Sequence, residues 1–400
     1  MSIKEIMNMI FDLVGNLCFL MYGMKLMSDG VQKSAGEKLQ RTLAKMTGNR
    51  FTGLLTGMVI TMIIQSSGAT TAMVVTFVNA GLLTLTQSVG VIFGANIGTT
   101  ITAWIVSIFG FNFKISVFAV PILGFGYFLS IIRKGRYKGI AEAVMGFALL
   151  FIGLSGLSDL FTDPAKFTWF APIQEWGIGS VLLGFVIGIF FTGLLHSSSA
   201  FSAIVIALAY NKIVNWEFAA ALTLGSNIGS TIDAVLAAVG KSADAKRSAL
   251  IHVLFNVFGT IIALCFFKPF LRLVTICTPG GEGGNIAIRI SMMHTVFKAL
   301  SACIFLPLVK PLVKLSEIII KNKVDETPNR YVLEFQEHAG KESITAFIMT
   351  AEKAVADMTD VVTGMFDRIQ IGVTKRNKDF IEKHLEPLNK AEDYCDQMHG

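Results

Sequence analysis

Long apolar stretches separated by short polar loops make up most of the chain between residues 7 and 309. A helix that crosses a bilayer needs about 20 mostly apolar residues. Several stretches meet that requirement and predict membrane-spanning helices: 7–27, 86–109, 113–132, 139–160, 217–239, 248–267 and 286–309. The pattern therefore predicts an all-α polytopic membrane protein with about seven transmembrane helices.

Two further apolar stretches, 50–80 and 180–211, are too long for one span and too short for two spans and a turn. Each has a polar cluster at its centre, Gln-Ser-Ser at 65–67 and His-Ser-Ser-Ser at 196–199. An arm of about 15 residues reaches roughly 22 Å, less than the ~30 Å hydrocarbon core. We expect two re-entrant hairpins with their tips near the middle of the membrane. One long tilted helix with a serine kink is the alternative for each.

An internal repeat relates these two regions, because a shift of 131 residues aligns 53–102 with 184–233 without a gap. Many identities fall in two polar motifs. The first is Gln-Ser-Ser-Gly-Ala-Thr-Thr (65–71), repeated as His-Ser-Ser-Ser-Ala-Phe-Ser (196–202); the second is Gly-Ala-Asn-Ile-Gly-Thr-Thr (94–100), repeated as Gly-Ser-Asn-Ile-Gly-Ser-Thr (225–231). Each repeat holds an odd number of crossings, which predicts inverted halves, as in secondary transporters. A duplicated structural bundle is the alternative.

Charge divides the chain into an apolar body and a polar tail. The first 320 residues carry 23 Lys and Arg against 13 Asp and Glu, whereas the last 80 carry 11 against 15. With 16% charged residues and a mean hydropathy of +0.62, the composition excludes a disordered chain, a nucleic-acid-binding domain and an ordinary cytosolic enzyme. Basic segments at 25–50, 133–138, 241–247 and 310–323 fall on one face if both hairpins return to their own side. The positive-inside rule then places the N-terminus outside and the tail in the cytoplasm.

The polar motifs suit a small anion and a hard cation. The helix that follows each tip directs its free N–H groups and the positive end of its dipole at the tip, and Ser hydroxyls add donors. Two facing tips therefore make a site for an oxyanion without Arg or Lys. Hydroxyl and carbonyl oxygens there also suit Na⁺. A bond from each Ser to its own helix is the alternative for the first motif, and a small-residue packing face is the alternative for the second.

Ionisable residues inside the membrane are few. Asp233 follows the second Asn-Ile-Gly motif, where an acid is either a cation ligand or half of an ion pair. Its repeat counterpart is Thr102. Structural pairing or snorkelling is the favoured interpretation for the remaining ionisable residues, which are His252, Arg289, His294 and Lys298. No arrangement typical of an enzyme active site is present in the sequence.

The doubled motifs, together with His-x-x-Phe-Asn at 252–256, resemble the type II sodium/phosphate cotransporter family over about 10–310. The resemblance implies sodium-driven uptake of inorganic phosphate by alternating access across the bacterial inner membrane. It implies no cofactor and no metal beyond Na⁺ as the coupling ion. The implied partners are phosphate, Na⁺ and the lipid bilayer, with a homodimer left open and no nucleic acid.

The resemblance also implies site residues. Those expected to bind phosphate are Ser66, Ser67, Gly68, Ser197, Ser198 and Ser199. Those expected to bind sodium are Gln65, Thr70, Asn96, Thr99, Thr100, His196, Asn227, Ser230, Thr231 and Asp233. Three positions depart from the family pattern: His196 replaces the second Gln, Gly68 replaces a third Ser, and Lys298 stands where Asn is usual.

The expected organisation is a first half over 1–160 with hairpin 50–80, and a second half over 139–310 with hairpin 180–211 and the last helix. A linker over 311–333 leads to a small helical cytoplasmic tail over 334–400, which resembles part of a phosphate-uptake-regulator domain. Two rival functions remain open for the chain: an anion channel, in which the hairpins form a filter, and a membrane phosphate sensor that signals through the tail.

Overall fold

The computed structural model of the protein describes residues 3–35, 49–113, 115–132, 136–163, 167–168, 170–321 and 341–375, with short pieces at 388–389, 391–393 and 395–396. The regular structure in these ranges is helical throughout. The chain divides into two units, one of Met1–Val78 with Leu83–Ile320 and one of Asn79–Leu82 with Lys321–Gly400. Parts of the predicted basic segments (36–48, 133–135 and 322–323), most of the linker and part of the tail lie outside the described residues.

The helices of the first half are α1 (Ile3–Ala35), α2 (Arg50–Ile64), α3 (Ser67–Asn79), α4 (Leu85–Gly98), α5 (Thr100–Ile105), α6 (Ser116–Ile132) and α7 (Arg136–Leu160). A π-helical segment, Val106–Asn112, continues α5. The second half contains α8 (Ile178–Leu195), α9 (Ser198–Tyr210), α10 (Trp216–Gly229), α11 (Ile232–Ala237), α12 (Ala243–Cys265), α13 (Phe267–Cys277), α14 (Ile286–Phe305) and α15 (Val309–Ile319). A short helix, Ala171–Gln174, precedes α8, and α16 (Lys341–Lys375) lies in the second unit.

Within the described residues, six helices are long and apolar enough to cross a membrane: Lys4–Ala35, Leu85–Phe111, Tyr137–Leu160, Ile178–Leu195, Ala243–Cys265 and Ile286–Phe305. Five of them coincide with predicted spans. The predicted spans 113–132 and 217–239 are absent from this set, since α6 has only 17 residues and 217–239 is interrupted between α10 and α11. Conversely, Ile178–Leu195 was predicted as a hairpin arm, yet its 18 residues are long enough to span. The described residues thus contain six candidate spans, where the sequence predicts about seven.

Within each half, a glycine at an equivalent position lets two helices pack closely against each other. A Cβ at Gly57 on α2 would collide with the backbone of Val91 on α4, and a Cβ at Gly188 on α8 would collide with the backbone of Leu222 on α10. Small residues allow this backbone approach between helices where lipid provides no hydrophobic driving force. The pairs α2–α4 and α8–α10 thus form equivalent packed units.

The start of α2 and the end of α3, which are the two outer ends of the first predicted hairpin, contact residues in or next to the basic segments. Arg50 Nη1 donates to the Leu306 carbonyl (3.2 Å), and Lys241 Nζ donates to Thr76 Oγ1 (2.7 Å). Burial lowers the pKa of Lys241. The outer end of α2 therefore contacts the end of predicted span 286–309 next to basic segment 310–323, and the outer end of α3 contacts basic segment 241–247, as a hairpin that returns to its own side requires. Re-entry into the membrane and the inverted relation of the halves stay predictions.

Candidate functional site

The two predicted tips are helix breaks with matching backbone geometry. α2 ends at Ile64 and α3 begins at Ser67, and the same interval separates α8 from α9 at the positions 131 residues later. Gln65 (φ 63°) and His196 (φ 50°) both adopt the left-handed conformation, which is uncommon for a residue other than glycine. Each break therefore ends one helix with a left-handed residue at an equivalent position of the repeat.

The first serine of each break caps the helix that follows. Ser66 Oγ accepts a hydrogen bond from the Ala69 N–H (3.1 Å), and Ser197 Oγ accepts one from the Ala200 N–H (3.2 Å). A side-chain oxygen at this position satisfies one of the unpaired N–H groups of the first helical turn. The geometry thus gives Ser66 and Ser197, both predicted phosphate ligands, a structural role at the breaks.

A polar cavity lies where both breaks meet both copies of the second motif. Its lining residues are Ser67, Asn96, Thr99, Thr100, Ala103, Ser198, Ser199, Ser202, Asn227, Ser230, His294 and Lys298. The cavity volume is about 20 Å³, room for roughly one water molecule. The cavity therefore joins hydroxyl and amide groups from distant parts of the sequence in a small space.

Half of the predicted site residues line this cavity: Ser67, Asn96, Thr99, Thr100, Ser198, Ser199, Asn227 and Ser230. The other half lie outside its lining: Gln65, Ser66, Gly68, Thr70, His196, Ser197, Thr231 and Asp233. Thr70 Oγ1 accepts a hydrogen bond from Thr61 Oγ1 (2.9 Å), which joins the two sides of the first break. Thr231 Oγ1 donates to the carbonyl of Ile228 (2.8 Å) within its own turn. These two hydroxyls hold the local backbone.

The residue at each break contacts the helix that follows the second motif. Thr102 Oγ1 on α5 donates to Gln65 Oε1 (2.9 Å). At the equivalent positions of the second half, His196 Nδ1 and Asp233 Oδ1 lie 2.8 Å apart. The repeat therefore conserves a contact but changes its chemistry, from an amide and a hydroxyl to an imidazole and a carboxylate.

Asp233 also lies against the first break. A Cβ placed on Gly68 would lie 2.6 Å from Asp233 Oδ2. A third Ser at position 68 would therefore collide with the carboxylate, and glycine leaves room for it. Gly68 belongs to the first turn of α3, where the helix dipole favours a negative charge. Asp233 thus contacts residues at both breaks.

Lys298 and His294 are site residues that sequence reasoning missed. Lys298 is 5% exposed, and its Nζ donates to Asn96 Oδ1 (2.8 Å) and Asn256 Oδ1 (2.7 Å). His294 Nε2 lies 2.9 Å from Ser202 Oγ, another cavity residue outside the predicted set. The snorkelling interpretation is therefore wrong for Lys298. The spacing His-x-x-Phe-Lys, which puts both side chains on one helix face, was the available signal.

Arg289 fits the structural interpretation. Its Nη2 donates to the carbonyls of Gly281 (2.7 Å) and Glu282 (2.6 Å), and its guanidinium lies 5.6 Å from the ring centroid of Trp216. These contacts tie the loop before α14 to the start of α10. Arg289 is absent from the cavity lining.

Comparison with known proteins agrees with the motifs. Residues 19–159 and 173–300 match the family described as Na⁺/Pi-cotransporter. The uncharacterized protein YqeW of Bacillus subtilis is 30% identical over 309 residues, which cover 77% of this chain and 97% of YqeW. The putative inorganic phosphate export protein YjbB of Escherichia coli is 26% identical over 315 residues, 78% of this chain and 56% of YjbB. No solved structure matches the chain.

A shorter match connects the chain to a mammalian transporter. The sodium-dependent phosphate transport protein 2C of Rattus norvegicus is 44% identical over 95 residues, which cover 23% of this chain and 16% of that protein. The family match, by contrast, includes both copies of both motifs and most of α14. It therefore covers all the residues that line the polar cavity. The chain belongs to the Na⁺/Pi-cotransporter family, a family of membrane transporters rather than enzymes.

Proposed function

We propose that the protein is a sodium-coupled symporter of inorganic phosphate that works by alternating access. The observation that carries the proposal is the polar cavity, which combines serines from both helix breaks with Asn and hydroxyl residues from both copies of the second motif. The family and the names of two relatives, which refer to phosphate transport or export, support the same substrate.

Phosphate would bind at the start of α3 and α9. The first residues of these helices, Ser67 and Ser198, both line the cavity, so two helix N-termini converge there. Free N–H groups and serine hydroxyls donate to phosphate oxygens, and the dipoles favour the anion. We keep Ser66, Gly68 and Ser197 as residues that shape the two tips.

Sodium would bind beside the anion. Two helix dipoles supply only about half a charge each, which leaves much of a phosphate charge uncompensated in a low-dielectric interior. The oxygens of Asn96, Thr99, Thr100, Asn227 and Ser230 line the same cavity and are hard ligands of the kind Na⁺ takes. We propose His196 and Asp233 as a second cation-binding group, with Gln65, Thr70 and Thr231 as supports.

Loading of phosphate requires the breaks to separate. A cavity of about 20 Å³ holds roughly one water molecule, whereas phosphate has five heavy atoms. Two re-entrant hairpins in inverted halves would open the cavity first to one side and then to the other. The orientation that we propose keeps the N-terminus outside and the C-terminal tail inside the bacterial inner membrane, and a homodimer stays an expectation.

The rival functions have less support. A channel needs a continuous wide path, and a cavity of only about 20 Å³ favours a carrier instead. A phosphate sensor that signals through the tail accounts for neither the two breaks nor the cavity. The direction of transport follows the combined Na⁺ and phosphate gradients, so export by a relative is compatible with symport.

The test is uptake of labelled phosphate into proteoliposomes that contain the full chain. We expect an inward Na⁺ gradient to drive accumulation above equilibrium, and choline in place of Na⁺ to abolish it. Equal uptake with the two cations would refute sodium coupling, and no uptake with either would refute phosphate transport. A Ser67→Ala/Ser198→Ala variant should lose uptake, whereas Ser130→Ala, on the exposed part of α6, is the matched control.

A further inference from the structure

Lys298 lies on a helix outside the internal repeat, yet it reaches the centre of the repeated motifs. It is a buried residue of α14 and lines the polar cavity with His294, one turn earlier on the same helix. A buried ammonium in a membrane-spanning helix is unusual and marks a functional position unless it is fully paired.

The Lys298 ammonium has the coordination of a bound cation. Its Nζ contacts the amide oxygens of Asn96 on α4 (2.8 Å) and Asn256 on α12 (2.7 Å). Oxygens of this kind also coordinate Na⁺ in proteins. Asn96 Nδ2 donates to the Ile92 carbonyl and Asn256 Nδ2 donates to the His252 carbonyl, each at 3.0 Å. Asn256 Nδ2 also makes a longer contact with Asn96 Oδ1 (3.4 Å). Each amide is thereby fixed with its oxygen toward Lys298.

Lys298 has no acidic partner in the part of the chain that the structure describes. Among the described residues, the ion pairs of the membrane unit involve other groups: Lys33 with Glu142, His196 with Asp233, and Arg247 with Asp244. The ligands of Lys298 are neutral amides, and its other polar surroundings are the cavity residues. The positive charge of protonated Lys298 therefore acts on whatever occupies the cavity.

We infer that the Lys298 ammonium takes the place of one coupling sodium ion at the phosphate site. It supplies tethered positive charge to the anion, held by the same oxygens that would otherwise bind Na⁺. This inference rests on the proposed phosphate transport. With Asn at this position, the oxygens of Asn96 and Asn256 would lose their contact with the ammonium and face a sodium ion instead. With Lys, each phosphate is transported with one fewer Na⁺.

The test compares Lys298→Asn with Lys298→Met and wild type in proteoliposomes. One measurement is phosphate uptake as a function of Na⁺ concentration, and the other is the ratio of labelled Na⁺ to labelled phosphate taken up. Lys298→Asn should raise the Na⁺ order and the measured ratio by about one, because the freed oxygens bind an ion. Lys298→Asn should lower phosphate affinity by about tenfold at low Na⁺, and that affinity should return to the wild-type value at high Na⁺. Lys298→Met offers no oxygen and should not recover.

Lys268→Asn is the matched control, because Lys268 is exposed at the start of α13. If Lys298→Asn fails to fold, Asn256→Asp provides a second test, since a carboxylate beside the ammonium neutralises it in place. We expect that variant also to lose about tenfold in phosphate affinity. An unchanged Na⁺ order in Lys298→Asn, or unchanged affinity in Asn256→Asp, overturns the inference while phosphate transport stands. No uptake by wild type with any cation overturns the proposed function instead.

Discussion

The two helix breaks share a backbone geometry and differ in charge. At the first break, Gln65 pairs with Thr102, and both side chains are neutral. At the second break, His196 pairs with Asp233, and both side chains can ionise. The contact between break and following helix is a property of the repeated fold, whereas its chemistry has diverged. Under the proposed function, this difference predicts that the two halves contribute unequally to cation binding.

The divergence extends across the interface between the halves. Asp233 belongs to the second half, but its carboxylate lies against Gly68 of the first break. Two of the three positions at which the chain departs from the family pattern, Gly68 and His196, therefore both contact this one carboxylate. These two departures are far apart in the sequence and adjacent in space.

A further difference between the breaks lies one turn away. At the first break, the Thr61 hydroxyl donates to the Thr70 hydroxyl across the break. The equivalent positions of the second half hold Thr192 and Phe201, and Phe has no acceptor. In the described structure the buried Thr192 hydroxyl has no hydrogen-bond partner. The first break thus has a side-chain link that the second lacks.

The largest effect is expected where the two breaks share one carboxylate. Gly68→Ser should displace Asp233, because the added Cβ would lie 2.6 Å from Oδ2. Overpacking of this kind costs about 1–3 kcal/mol, and we expect phosphate uptake to fall by about tenfold or more. Uptake and thermal unfolding in detergent measure both effects. Adding Asp233→Thr to Gly68→Ser should recover part of the stability; a double variant no more stable than Gly68→Ser would contradict the steric explanation.

An intermediate effect is expected when the second break is given the chemistry of the first. The double variant His196→Gln/Asp233→Thr replaces the ionisable pair by a neutral one. Since the pair is partly exposed, the free energy of unfolding should change by less than about 1 kcal/mol. The Na⁺ concentration for half-maximal uptake should rise severalfold, because a carboxylate near the cation site is lost. Thr102→Val, which breaks the neutral pair, is the control, and an equal effect of the two variants on Na⁺ would show that the breaks are equivalent.

Local sequence predicted the breaks and much of the cavity for a physical reason. A serine run within an apolar stretch needs polar partners, so its position alone marks a helix interruption. The repeat then paired Ser67 with Ser198 and Asn96 with Asn227, which all reach the cavity. The capping roles of Ser66 and Ser197 were harder to foresee, because a serine oxygen serves its own helix and a ligand equally well.

The rest of the site depends on tertiary contacts between residues far apart in the sequence, and these contacts cannot be predicted from local sequence patterns. Lys298 lies 202 residues from Asn96, and its hydrogen bonds to Asn96 and Asn256 depend on the packing of α14 against α4 and α12. Hydropathy likewise failed to separate a spanning helix from a hairpin arm at Ile178–Leu195, because composition is the same in both. Asp233 was predicted to bind a cation or form an ion pair, but its partner His196 emerged only from the fold.

The smallest effect tests the side-chain link at the first break against the missing link at the second. Thr61→Val should lower the free energy of unfolding by about 1 kcal/mol, because it removes the hydrogen bond to Thr70. Thr192→Val should be neutral or slightly stabilising, since the hydroxyl that it removes is buried without a partner. The two substitutions are chemically identical and occupy equivalent positions, so each is the control for the other in thermal unfolding. Equal destabilisation by both would mean that the Thr61–Thr70 bond adds nothing to the first break, and the asymmetry would then rest on the two ionisable residues alone.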